Sequence, residues 1–230
     1  MAAKSPTRAT KGSQSKKSKK KLTREQIIRA AVKYADAKGI DQLSMRQLAG
    51  ELNCGAMSLY HHVADKDELI GFMIDAIALE IELPTSSSED DWSADMRAYI
   101  ISAYKMMLNH RWAPKHWGQG IGPAKHNYHE NILRMLREAG FSEELACRGY
   151  HALTMHVVGF SMQVLELQPI IGSKQKMQSL GKQILDEMSS DTYPYMVEHI
   201  KFHMSGKDQR NDFKYLLDLI LDGLDRDKDS

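Results

Sequence analysis

Apolar residues in this chain rarely alternate; they recur every three or four positions between Gly and Pro punctuation, which predicts an all-α protein. Thr23 with Gln26 reads as a capping box, stapled by Leu22 and Ile27, and opens a first helix from Arg24 to Lys38 that stops at Gly39. Ser44 with Gln47, stapled by Leu43 and Leu48, opens a two-turn helix ending near Leu52. The tight turn Asn53-Cys54-Gly55 follows, and then a short helix over Ala56 to Val63. Asp65 with Glu68 is a third capping box and predicts a helix from Lys66 to Leu83, closed by Pro84.

Thr85 to Asp91 is polar and Ser-rich, a connection beside a new domain. From Trp92 to about His110, the residues Trp92, Met96, Tyr99, Ile100, Ala103 and Met107 share one side of a helix. Arg111 to Gly122 carries Trp112, Pro114, His116, Trp117 and three glycines, a loop with at most one short helix. Pro123 starts a helix that reaches Ala139, and Ser142 caps another from Glu143 to Leu167. The latter is apolar on every face, which predicts burial on all sides. A last helix over Asp212 to Leu224 shows a broad apolar stripe, and the acidic end 225–230 is expected to fray. The expected organisation is a basic arm over 1–21, a three-helix helix-turn-helix domain over 22–68, and a larger helical domain over 69–225.

Composition narrows the setting. No run of about 18 apolar residues is present, and the N-terminus lacks the apolar core of a signal peptide, so a cytoplasmic protein without membrane contact is expected. Cys54 and Cys147 lie far apart without metal-ligand spacing, so reduced thiols are expected. The net charge of +1 hides an asymmetry: residues 1–66 carry 14 Lys plus Arg against 5 Asp plus Glu, and the rest carries 17 against 25. Eight of those basic residues fall in 1–21 with no acid among them, a disordered arm by composition. Such an arm serves either as a solubilising tail or as a contact to nucleic-acid phosphates.

A short helix, a tight turn and a second short helix within Leu43 to Val63 make a helix-turn-helix, whose second helix enters a DNA major groove. The predicted outward positions Ala56, Met57, Ser58, Tyr60, His61 and His62 are small, polar or aromatic, whereas Leu59 and Val63 lie one turn apart and lock the helix down. Ser58 and His62 suit base edges or phosphates, Tyr60 a phosphate, and Met57 a thymine methyl group. Arg46 and Lys66 stand at helix starts on either side as phosphate clamps, with a guanine as a second target for Arg46.

The residues Leu22-Thr23-Arg24-Glu25, Ala30-Ala31, Gly39-Ile40-Asp41, Leu43-Ser44-Met45-Arg46-Gln47-Leu48-Ala49 and Ser58-Leu59-Tyr60-His61-His62-Val63, with Lys66 and Leu69, closely resemble the tetracycline-repressor (TetR) family. The resemblance implies that Met45, Arg46, Ala56, Met57, Ser58, Tyr60, His62 and Lys66 contact double-stranded operator DNA. Ala56 and Met57 depart from the bulkier or more polar residues common there. Trp92, Gly140-Phe141-Ser142, Gly159 and Gly223-Leu224 resemble the C-terminal domain of the same family more faintly. That implies a homodimer built on the helix from Glu143 and the last helix, a palindromic operator, and a small-molecule inducer. Positions matching the drug contacts of tetracycline repressors are Glu82, Tyr99 and Ala103, a set poorly suited to tetracycline itself.

The segment from Tyr99 to Gln163 is rich in Met, Trp and His, which suits an apolar pocket with a few polar groups. Candidate lining residues are Tyr99, Ala103, Met107, Trp112, His116, Trp117, His151, Met155 and Gln163. Taken alone, Met106, Met107 and Met155 read more often as core filling, and His116, His126, His129 and His151 more often as surface or satisfied core residues than as ligand contacts. His199 and His203 stand one turn apart, as in some metal sites, but no third ligand is evident nearby, so neither a metal nor a cofactor is expected. An enzyme is the alternative class, with a protein-interaction scaffold beside it. The motifs of an enzyme fail: Gly159-Phe160-Ser161-Met162-Gln163 lacks the second glycine of a nucleophile elbow, Gly118-Gln119-Gly120-Ile121-Gly122 follows no strand, and His129-Glu130 meets Leu133 where a zinc protease needs histidine.

Overall fold

The computed structural model describes residues 22–84, 91–120, 122–205 and 212–228, and every regular element among them is helical. The basic arm and residues 85–90 of the Ser-rich connection lie outside the described residues. Near the N-terminus, α1 (Arg24–Lys38) packs against α2 (Met45–Glu51) and α4 (Lys66–Ala78), and α2 against α3 (Ala56–Tyr60). The box at Thr23 is complete, with its hydroxyl accepting from Gln26 N and the Gln26 side chain accepting from Thr23 N at 3.1 Å. At Asp65 the carboxylate caps Glu68 N at 2.8 Å, while the Glu68 carboxylate reaches back one residue further than a capping box requires, to Ala64 N. Gly39 ends α1 at φ 90°, a conformation that costs a residue bearing a Cβ.

Two expected boundaries in this region shift. The helical span of α3 closes at Tyr60 rather than Val63, and the turn continues through His62 N and Val63 N, both donating to Leu59 O at 2.8 and 3.1 Å. α4 stops at Ala78 instead of reaching Leu83, because Glu80 N and Ile81 N bond back three residues, to Ile77 O and Ala78 O, and tighten the last turn. Glu82 N then donates to the Ser102 hydroxyl of the next helix at 2.9 Å.

The larger half begins with α5 (Trp92–Asn109), α6 (Ala113–His116) and a 3-10 turn (Trp117–Gln119), followed by α7 (Pro123–Glu138) and α8 (Glu143–Ile171). Next come α9 (Lys174–Glu187), α10 (Pro194–Met204) and α11 (Asp212–Lys228). α8 packs against α5, α7 and α11, burying Ala146, Gly149, Leu153, Val157 and Ser161. Burial on all sides does not hold within one chain: Met155 is 70% exposed, and α8 runs past Leu167 through Pro169 to Ile171. The acidic end is helical to Lys228 rather than frayed from 225, because Trp92 Nε1 donates to Asp225 at 3.1 Å and Lys228 Nζ stands 5.5 Å over the Phe141 ring. α4 spans both halves, meeting α1 on one side and α7 with the 3-10 turn on the other.

Candidate functional site

The outer surface of the first three helices is built on a small rigid base. Leu48 and Leu59 are fully buried, and Leu43 and Val63 nearly so, which fixes α3 against its neighbours. Its other side faces outward: Met57 is 72% and Tyr60 45% exposed, with Ser58 and His61 also exposed and Ala56 and His62 half-buried. Arg46 is exposed in the first turn of α2. Met45, from the same predicted contact set, is buried in the core at 9% exposure, so its side chain positions α2 rather than offering a surface. Lys66 likewise turns inward and donates to Ile40 O at 3.2 Å. The rod is steadied by a contact that spacing along the chain does not reveal: Arg24 Nε donates to His62 O at 3.0 Å while its guanidinium lies 5.0 Å over the Phe72 ring. In the sequence Arg24 stands out only as the first residue of a helix and part of the Leu22–Glu25 segment, with nothing to mark it as a brace.

The candidate ligand-side residues do not line one space. Tyr99, Ala103 and Met107 are buried on one side of α5, and Trp117 is buried beside Tyr128 at a ring distance of 5.4 Å. Trp112 is committed elsewhere, with its Nε1 donating to Asp36 of α1 at 2.7 Å. His116 is half-buried and meets Gln119 at 3.2 Å. His151 and Met155 are exposed on α8, and His151 pairs with its own helix through Cys147 O. Gln163 lines a cavity of about 520 Å³ that lies between α8, α9 and α10. His199 and His203 line the same cavity with rings 4.5 Å apart; among the described residues no group of three metal-ligating side chains forms.

Two polar clusters carry no signal in the sequence. His110, at the end of α5, meets Asp36 of α1 through Nδ1 at 2.9 Å and Glu80 beyond α4 through Nε2 at 3.1 Å. Burial pulls its pKa down, but the two carboxylates outweigh it and the net shift is upward. Both ring nitrogens facing carboxylates favours the imidazolium, a charged bolt between the two halves of the chain. The second cluster lies around Lys125, which is only 7% exposed and donates from Nζ to Trp117 O and, at 2.6 Å, to Gly120 O. Burial lowers the Lys125 pKa; burial, then Lys125 and His126, bring His129 down to about 4. His129 Nδ1 and the Tyr150 hydroxyl are 3.0 Å apart.

Comparison with known proteins settles the family. Residues 27–71 match the model described as bacterial regulatory proteins, tetR family, and residues 83–227 match tetracyclin repressor-like, C-terminal domain. The chain belongs to the TetR family. An HTH-type transcriptional regulator of Saccharopolyspora erythraea is 34% identical over 140 residues, which covers 60% of this chain and 59% of that protein. The HTH-type transcriptional repressor DrrR1 of Streptomyces coeruleorubidus is 31% identical over 150 residues, 64% of this chain and 55% of the relative. Matches to these two relatives thus span less than two thirds of their length. The fold match runs further within the TetR family: Streptomyces coelicolor ActR, in its complex with actinorhodin, superposes with TM-score 0.78 at 28% identity, covering 90% of this chain and 97% of ActR. No helix among the described residues is long and apolar enough to cross a membrane.

Proposed function

We propose that this TetR-family chain is a ligand-responsive transcriptional regulator, a repressor that binds a palindromic DNA operator as a homodimer and leaves it when a small molecule binds the larger helical domain. The observation that carries the reading is α3, locked by Leu59 and Val63 while Met57, Ser58, Tyr60 and His61 face outward. A groove-reading helix needs that combination: a fixed axis and a free outer face. In this reading Ala56, Met57, Ser58 and His62 meet base edges, Tyr60 and Arg46 meet phosphates, and Met45 and Lys66 act by holding α2 and α4 in place.

The homodimer is supported by apolar side chains that one chain leaves outward on α8 and α11, Met155 at 70%, Leu219 at 52% and Leu216 at 40% exposure. A second copy packed there builds a four-helix bundle and sets two recognition helices about 34 Å apart for successive major grooves. Ligand relief is supported by the bound actinorhodin of ActR and by the placement of α4, which touches both halves. A ligand that favours the geometry unable to bind DNA releases the operator a hundredfold for about 2.7 kcal/mol of differential affinity. The chain performs no catalysis in this account.

Selection of bound duplexes from random DNA tests the proposal. Enrichment of one palindrome with half-sites about one helical turn apart is the expected result. Binding without any enriched sequence, or no binding at low salt, overturns it.

A further inference from the structure

Between the C-terminal part of α8 and the hairpin of α9 and α10 lies a chamber that the surrounding side chains leave unfilled. Its volume of about 520 Å³ falls inside the range of about 300–1,000 Å³ that small-molecule sites occupy. Leu167 and Ile171 of α8, Met177, Leu180 and Ile184 of α9 and Ile200 of α10 form its apolar wall. None of the six is buried: Leu167 is 38% exposed and the other five are half-buried. A loosely built hairpin does not account for the space, because α9 and α10 touch closely, and a Cβ at Gly181 would stand 2.5 Å from Met204 Sδ. Yet Gly181 and Val197 are the only buried residues of these two helices. The hairpin is thus closed on itself and open toward α8. The chamber shares no lining residue with the Lys125 cluster or with α4.

We infer that this chamber is a binding site in its own right, for a lipophilic amine with an alkyl or alicyclic body. The apolar wall is aliphatic apart from Phe160, so it offers a chain or a saturated ring a place out of water but gives a flat aromatic body little to stack on. Its polar lining consists of Gln163, His199, His203 and Asp212. With histidine counted neutral, the Asp212 carboxylate is the one formal charge on the lining, and no lysine or arginine among the described residues shares the wall. Asp212 is held in place by its neighbour: Phe213 is 1% exposed, and its ring lies 5.5 Å from that of Phe160. An ammonium only donates, whereas a carboxylate, an amide oxygen and an imidazole nitrogen can all accept, and the bond to Asp212 is charge-assisted on both sides. A carboxylate ligand would meet Asp212 as a like charge. The inference goes beyond operator control and does not depend on it, since binding is scored on the protein without DNA.

Calorimetric titration of the full chain with octylamine, octanol and octanoate tests the assignment. Octylamine is expected to bind at least about tenfold more tightly than either of the others. Asp212→Asn is expected to erase that preference at an unchanged melting temperature, because Asp212 is exposed. Leu180→Trp, which puts an indole into the chamber, is expected to abolish amine binding. Location is read from the imidazole signals of histidine-labelled protein by NMR: octylamine should shift those of His199 and His203 and leave that of His129 in place. No amine binding, equal or tighter binding of octanoate, a preference that survives Asp212→Asn, or a shift at His129 in place of His199 and His203 each overturns the site. Amine binding that persists in Leu180→Trp while the sedimenting mass changes makes the chamber a contact between copies and also overturns it. Where Leu180→Trp fails to fold, Asp212→Asn and the imidazole signals decide.

Discussion

Single side chains divide the work of the proposed DNA-facing surface between holding and touching. Leu59 is fully buried and Tyr60, its neighbour, is 45% exposed, so equal truncations have opposite readouts. Leu59→Ala is expected to cost about 2–5 kcal/mol of stability in denaturant melts. Tyr60→Ala should leave stability within about 0.5 kcal/mol and weaken binding to the selected operator at least about tenfold, read by fluorescence anisotropy. His110 makes a pH prediction with a definite sign. Its folded pKa lies above the ordinary 6.5, so the bolt to Asp36 and Glu80 stabilises fully below about that pH and fades as pH rises through the raised value. Thermal melts of the wild type and His110→Gln should therefore differ most in mild acid and converge toward alkaline pH. A gap that widens with rising pH would show that the imidazole is neutral in the fold.

Whole elements were legible where their signals are local. Caps at Thr23, Ser44, Asp65, Ser142 and the start at Pro123 use residues within a turn of each other, and all five open helices at those points. α9 and α10 went unread although local signals were there to find them: Ser173 caps α9, Met177, Leu180 and Ile184 recur along one side of it toward the cavity beside α8, and Pro194 opens α10. Sites built from distant residues were silent, since Asp36 and His110 are 74 positions apart and Asp75 and Lys125 are 50. The outward face of α3 was read correctly for Met57, Ser58, Tyr60 and His61, but an inward Met45 and an inward Lys66 follow from tertiary packing that spacing does not encode. The contact between the 3-10 turn region and α4 makes its own prediction. Gly120→Ala forces a methyl group into Ile74 and should cost about 1–3 kcal/mol by overpacking, measured by chemical denaturation.

Under the proposed function, charge and symmetry across the whole molecule set how tightly the chain holds DNA. Leu219→Glu on α11 should shift the protein to monomer in sedimentation and abolish cooperative occupancy of the palindrome; a dimer that persists would place the interface elsewhere. Removing residues 1–20, which carry most of the basic arm, should flatten the slope of log affinity against log salt by about 0.9 for each phosphate the arm had neutralised. An unchanged slope assigns those lysines no role on DNA. The five-residue α3 owes its position to Leu59 beneath it and to the Arg24 brace, while the residues facing outward support nothing else. Under the proposed function, target choice is thereby uncoupled from foldability: a lineage carrying this scaffold can be re-addressed to new promoters by changes at Met57, Ser58 and His61, with no toll on the packing that keeps it alive.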